Sequence, residues 1–358
     1  MKQDYTEESM SIPLQIRVQA AMSQVLYGLP TPVRRLIAGR PIRLDGQELS
    51  LDAQLLLRLQ KLFGAELDGN LEQARAALND ARHLVGGKPV EPVSAREITI
   101  PGDGGDIPAT LYTPAGLPEP SGLLVFYHGG GWVIGTRASH DNTARFLALH
   151  AGVRVLSVEY RLAPEHPFPA AADDAVAAFD YAHAKAGELG ADPGRIAVGG
   201  DSAGGNLAAV AAQVTTRRGG PAPAFQLLFY PGTDFSTRRR SRDLFGEDLF
   251  LTDKDITWFQ GQYIPEGTDL TDPRLSPLLA EELSGLPPAY IATAGFDPLR
   301  DEGEAYAKRL QDAGVPTALS RHSDLIHGYV QFLGIGHRFR EATAEAADAL
   351  RLGLSRPI

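Results

Sequence analysis

Four features of this sequence have residue types suited to joint chemistry: a serine flanked by glycines, a histidine followed by three glycines, and a downstream acid and histidine. The first is Gly199-Gly200-Asp201-Ser202-Ala203-Gly204-Gly205, a G-x-S-x-G pattern centred on Ser202. An apolar run, Ile196–Val198, precedes it, and a helical pattern from Asn206 follows. That strand–turn–helix setting is what a nucleophile elbow requires. So sharp a turn leaves no room for side chains at Gly200 and Gly204 and imposes an unfavourable backbone on the serine. The helix start also supplies free N–H groups and a positive dipole end for a developing oxyanion.

The second feature is His128-Gly129-Gly130-Gly131-Trp132, directly after the apolar run Leu123–Tyr127. Three glycines let backbone N–H groups face a cavity without obstruction, as the second half of an oxyanion hole needs. A phosphate loop is excluded, because no Lys-Ser/Thr pair follows the last glycine. The dinucleotide pattern fails as well, because Ile134 stands where its final glycine belongs.

A serine hydroxyl is a weak nucleophile until a base takes its proton. The chain has nine histidines. With the order serine, acid, histidine, the base belongs after the last strand. His327, before Gly328, fits best, with His322 the alternative. The acid belongs just past the preceding strand. Asp297 in Asp297-Pro298-Leu299-Arg300-Asp301 fits, with Asp301 the alternative and Asp324 a loop acid. Its task is to orient the imidazole and stabilise its charged form. No histidine or acid set has metal-site spacing; His166 lacks a paired ligand, and His322 with Asp324 lacks a third. The run Arg238-Arg239-Arg240 reads as a solvated face.

The elements that must position these residues follow from hydrophobic period. Residues 12–94 read as mostly helical, with Leu51, Leu55, Leu56 and Leu59, and then Leu71, Ala74, Leu78 and Val85, at helical spacing. Gly86-Gly87-Lys88-Pro89 ends that region. Ile98 and Ile100, the turn Gly102–Gly105 and Ile107–Tyr112 predict a hairpin. Strands are then expected at 123–127, 153–158, 196–198, 226–230, 289–294 and 318–321. Helices are expected at 142–151, 170–187, 206–217, 302–313 and 338–350. Such alternation predicts an α/β fold with a mostly parallel sheet covered by helices on both faces. The stretch from Pro231 to Pro273 has no strand-like run and reads as an insertion.

Composition narrows the function. With 358 residues, the chain exceeds the ~250–300 at which single cores stop growing. A net charge of −10 disfavours nucleic acid. With no cysteine, disulfides, thiolate zinc sites and a thiol nucleophile are excluded. The first ten residues are acidic and unlike a secretory leader, and no apolar run is long enough to span a bilayer, so a cytoplasmic protein without a membrane partner is expected.

Taken together, the motifs resemble the bacterial hormone-sensitive-lipase-like esterases. The matching pieces are His128–Trp132, the stretch Tyr160-Arg161-Leu162-Ala163-Pro164-Glu165-His166-Pro167-Phe168-Pro169-Ala170, Gly200–Gly205, Tyr230-Pro231, Asp297–Asp301 and His327-Gly328, in the family's order. The resemblance implies the α/β-hydrolase fold with an eight-stranded sheet and a helical cap. It divides the chain into an N-terminal cap region (1–94), core segments (95–234 and 274–358) and a cap insertion (235–273). It further implies hydrolysis of short- to medium-chain acyl esters without cofactor or metal, and a possible homodimer. Ser202 becomes the nucleophile, His327 the base and Asp297 its partner. Gly130, Gly131 and Ala203 form the oxyanion hole, supported by His128 and Gly129. A non-catalytic small-molecule receptor and a serine peptidase or amidase are the other functions this scaffold serves. Glu159 before Tyr160 and Tyr329 after Gly328 depart from the family's usual residues.

Overall fold

The short apolar runs become strands because residues buried on both faces suit a covered parallel sheet. The computed structural model describes residues 13–63 and 70–355, so the acidic stretch Met1–Met10 lies outside the described residues. In chain order the N-terminal elements are α1 (Leu14–Gly28), α2 (Thr31–Ala38), β1 (Arg43–Leu44), β2 (Gln47–Glu48), α3 (Leu51–Phe63) and α4 (Leu71–Val85). Next come β3 (Val93–Ile100), β4 (Ile107–Pro114), β5 (Ser121–Tyr127), α5 (Asp141–Ala151), β6 (Arg154–Val158), α6 (Ala170–Ala184), β7 (Ala191–Asp201), α7 (Ala203–Arg217) and β8 (Phe225–Phe229). The chain ends with α8 (Arg240–Phe245), α9 (Asp253–Tyr263), β9 (Ala289–Phe296), α10 (Arg300–Asp312), β10 (Thr317–Ile326) and α11 (Arg338–Ser355).

Eight strands form one sheet in the order β10-β9-β8-β7-β5-β6-β4-β3. The six from β5 onward pair in parallel, and β4 runs antiparallel to both β3 and β6. Alternate residues of β5 divide between two cores. Leu123 and Val125 join Ala175, Leu207 and Tyr306 of α6, α7 and α10. Leu124 and Phe126 join Leu147, Phe339 and Leu350 of α5 and α11.

Three features add to the expectation. First, a short hairpin, β1–β2, interrupts the helical N-terminal region. Its turn residues Asp45 and Gly46 both have positive φ, the backbone that an Asp-Gly hairpin turn demands. Second, the insertion after Pro231 holds α8 and α9, and α9 begins at a reciprocal cap between Thr252 and Asp255. Its arginines Arg238 and Arg240 are exposed, as a solvated face requires, and all three of the run are also ion-paired. Arg238 meets Asp243 and Asp253, Arg239 meets Asp234, and Arg240 meets Asp45 of the N-terminal hairpin. Third, β10 runs to Ile326, past the expected end, with a register break between His322 and Ile326.

Candidate active site

Ser202 sits where β7 turns into α7, with φ 56° and ψ −117°. A non-glycine residue held there stores on the order of 1–3 kcal/mol of strain. Close packing enforces the turn: a Cβ at Gly204 would lie 1.9 Å from the Tyr127 carbonyl oxygen, and one at Gly200 would lie 2.3 Å from it. Asp297 follows β9 directly and His327 follows β10, so all three residues stand at carboxyl ends of parallel strands.

The side chains form a relay. Ser202 Oγ lies 2.9 Å from His327 Nε2, and His327 Nδ1 lies 2.8 Å from Asp297 Oδ2. Asp297 Oδ1 accepts the Leu299 N–H at 2.8 Å, which fixes the carboxylate plane. Asp297 is fully buried and His327 nearly so. The partners assign the tautomer: Nδ1 donates to the carboxylate, leaving Nε2 to accept from Ser202.

The alternatives lie elsewhere. His322 is paired within β10 opposite Ala294, packs edge-on to Tyr329 and approaches Arg338. Asp301 accepts the Ser241 N–H and so ties α10 to α8. Asp324 pairs with Arg338.

The glycine loop after β5 curls back on itself, with Val133 and Ile134 N–H both donating to the Gly130 carbonyl. Gly130 and Gly131 have φ of 122° and 61°. A Cβ at Gly131 would strike the Phe259 ring of α9, so the loop and that helix approach as closely as glycine permits. The N–H groups of Gly130, Gly131 and Ala203 donate to no acceptor among the described residues. All three residues border the same cavity as Ser202 and His327, about 1560 Å³ in volume. Buried N–H groups are rarely left unpaired, and these are free to receive an oxyanion. Much of the remaining lining is apolar, including Phe235, Leu249, Phe250, Ile256 and Phe259 from the insertion and Ile16, Leu56 and Leu78 from the N-terminal helices.

Behind the loop, His128 is buried and stacks on Tyr160, with ring centroids 4.3 Å apart. Burial and then the neighbouring His140 lower its pKa to about 4, so it is neutral at pH 7. Its Nδ1 donates to the Gly129 carbonyl at 2.8 Å, and the Tyr160 hydroxyl donates to the His128 carbonyl at 2.6 Å. This neutral, fully packed imidazole braces the loop.

Three residues of the site, Asp201, His140 and Glu302, have roles the sequence reading did not assign. Asp201 turns away from Ser202, and its Oδ1 accepts the Gly129 N–H at 2.8 Å. His140 Nε2 lies 3.3 Å from the same oxygen. Burial alone would raise the Asp201 pKa, but its contact with His140 and the hydrogen bond from the Gly129 N–H hold it below the ordinary value. The elbow and the glycine loop after β5 are thus joined by a buried carboxylate. A buried acid one residue before the serine is the signal for it, since such a group must find donors nearby.

Glu302 is the third. Its Oε1 accepts the Thr233 N–H at 2.7 Å, and it borders the cavity. Burial pushes its pKa up to about 8, outweighing hydrogen bonds from Thr233 and Asp234, while the Asp234 charge adds to the rise. Between its unfolded value near 4.5 and about 8, the folded chain holds the extra proton. Stability from this group is therefore full at acid pH and falls as pH rises through that window, by on the order of a few kcal/mol. The thermal midpoint is expected to drop more from pH 6 to pH 9 in the wild type than in Glu302→Gln, which keeps the accepting oxygen without the charge. Parallel curves for the two proteins would refute the raised value.

Among the described residues, no group of three or more His, Asp or Glu could hold a metal, and no helix is long and apolar enough to cross a membrane.

Comparison with known proteins gives the family and the fold. A profile for the alpha/beta hydrolase fold matches residues 124–331. The chain is 47% identical to the carboxylic ester hydrolase LipN of Mycobacterium tuberculosis over 343 residues, 93% of this chain and 91% of that protein. The chain belongs to the hormone-sensitive-lipase-like α/β hydrolases. Like its relatives, this hydrolase is a carboxylesterase acting on small-molecule esters. The ethyl acetate hydrolase of Pseudomonas putida is 38% identical over 285 residues, 78% of this chain and 89% of that one. Among solved structures, the ester-hydrolase EH1AB1 from the Lake Arreo metagenome, complexed with a bipyridine phosphonate derivative, superposes with a TM-score of 0.83 at 41% identity, covering 86% of this hydrolase and all of that chain.

Proposed function

We propose that Ser202 is the nucleophile of this carboxylesterase, His327 its general base and Asp297 the group that orients the imidazole. The oxyanion is held by the N–H groups of Gly130, Gly131 and Ala203, on a loop supported by His128 and Gly129. The unbroken relay from Ser202 Oγ through His327 to Asp297, with contacts of 2.9 and 2.8 Å, carries this reading. His327 Nε2 takes the hydroxyl proton as Oγ bonds to the ester carbonyl carbon. The carbonyl electron pair moves to the oxygen, which the three N–H groups receive. Collapse breaks the bond to the alkoxy oxygen, and the alcohol leaves with the proton from Nε2. Water then repeats the sequence on the acyl-enzyme and frees Ser202.

The preferred acyl groups are short to medium. The apolar lining supplied by Phe259, Phe250 and Leu249 supports this. The cap comprises residues 1–94 and 235–273, over a core of 95–234 and 274–358. Across a p-nitrophenyl series from acetate to palmitate, kcat/KM is expected to peak between butyrate and octanoate. A maximum at palmitate would overturn the chain-length reading. Cytoplasmic location and a homodimer complete the proposal, to be checked by cell fractionation and sedimentation velocity.

A further inference from the structure

One face of α1 is apolar and turned outward. Leu14, Val18 and Val25 recur at helical spacing and are all exposed, Leu14 at 73% and Val25 at 67%. On α2, Val33, Leu36 and Ile37 are exposed as well, Leu36 at 82%. Scattered exposed leucines are ordinary, but consecutive ones along two adjoining helices mark a contact surface.

Charge says what the surface meets. The whole chain carries −10, yet residues 13–44 contain Arg17, Arg34, Arg35, Arg40 and Arg43 and no Asp or Glu. Arg34, Arg35 and Arg43 meet carboxylates of Asp52 or Glu48. Arg17 and Arg40 have no carboxylate partner among the described residues, and exposed Arg58 reaches to Gly39 at the end of α2. An exposed aliphatic stripe flanked by free arginines is the composition of helices that lie in a membrane interface. Another side of α1 faces the cavity that holds Ser202, bordered by Ile16, Gln19, Met22 and Ser23.

We propose that α1 and α2 form a docking surface for an anionic phospholipid bilayer, on which the enzyme lies with its cavity entrance next to the membrane. Binding of this kind needs no spanning segment; it needs an apolar stripe and basic flanks. Esters are apolar and concentrate in such a phase, so a helix with one side to lipid and the other to the cavity brings substrate to the mouth of the site. The docking surface is independent of which side chain is the nucleophile.

The full-length enzyme is mixed with vesicles of phosphatidylcholine alone or with equimolar phosphatidylglycerol, and bound protein is measured by co-sedimentation. Roughly tenfold or tighter binding to the anionic vesicles is expected, weakening as salt is added. The triple variant Leu14→Ser/Val25→Ser/Leu36→Ser should lose most of that binding while its kcat/KM for soluble p-nitrophenyl butyrate stays at the wild-type value. Arg17→Gln/Arg40→Gln should lose the preference for anionic lipid, and this test stands if the triple variant fails to fold. A wild type that stays in the supernatant, or that binds both vesicle types equally, overturns the proposal. So does a triple variant that turns a dimer into a monomer without any vesicle binding, which would assign the stripe to a second copy of the chain.

Discussion

Ser202→Ala is expected to lower kcat for p-nitrophenyl butyrate by about 10⁴–10⁶-fold with little change in KM. Removing Oγ deletes the atom that bonds to the acyl carbon, and among the described residues no other hydroxyl is hydrogen-bonded to His327 Nε2. Residual hydrolysis should persist, because the loop N–H groups and the apolar cavity still stabilise attack by water. The variant should fold. Alanine removes one atom, and the strain at φ 56° is imposed by the packing of Gly200 and Gly204 rather than by the hydroxyl. Activity within tenfold of wild type, with an unchanged thermal midpoint, would remove Ser202 from the reaction. Covalent labelling gives a second readout: a phosphonate ester should add one adduct to the wild-type chain, on the peptide holding Ser202, and none to the variant.

The legible parts of this site are those whose geometry is enforced locally. The elbow is written in the sequence because Gly200 and Gly204 must lie against the Tyr127 carbonyl, and no other residue fits there. The alternating apolar runs are legible because a strand covered on both faces has no polar side to show. The choice between His322 and His327 turned on where β10 ends, which depends on a register break against β9 that period alone does not encode. Asp201 was hidden for a different reason. Its donor, the Gly129 N–H, lies 72 residues away, and the contact exists only once β5 and β7 are neighbours in the sheet. The same holds for Arg238–Arg240: in sequence they are a charged run, but their carboxylate partners include Asp45, 195 residues from Arg240. Local rules reveal turns and periods; pairings across the sheet or between the insertion and the N-terminal hairpin follow from topology.

Asp297→Asn separates orientation from charge in this relay. The carboxylate makes two hydrogen bonds, Oδ2 with His327 Nδ1 at 2.8 Å and Oδ1 with the Leu299 N–H at 2.8 Å. Asparagine has one oxygen and one NH₂ group, so its orientation is decided by which neighbour is a fixed donor. The Leu299 N–H can only donate, so it claims the oxygen and the NH₂ group faces His327. An NH₂ donor requires Nδ1 to accept, which moves the imidazole proton to Nε2. Nε2–H then points at Ser202 Oγ and has no lone pair with which to take the serine proton. A drop in kcat of about 10⁴-fold is expected from the wrong tautomer alone, with geometry nearly unchanged. Because the defect is a missing acceptor at Nε2, raising the pH should restore rate as hydroxide replaces the base, giving a kcat that climbs with pH where the wild type levels off. Asp297→Ala serves as the contrast. It removes the competition for orientation and leaves His327 free to take either tautomer, so it should be less impaired at neutral pH than its larger structural change suggests. A fully active Asp297→Asn, with the thermal midpoint of the wild type, would mean that Asp297 does not set the proton position on His327.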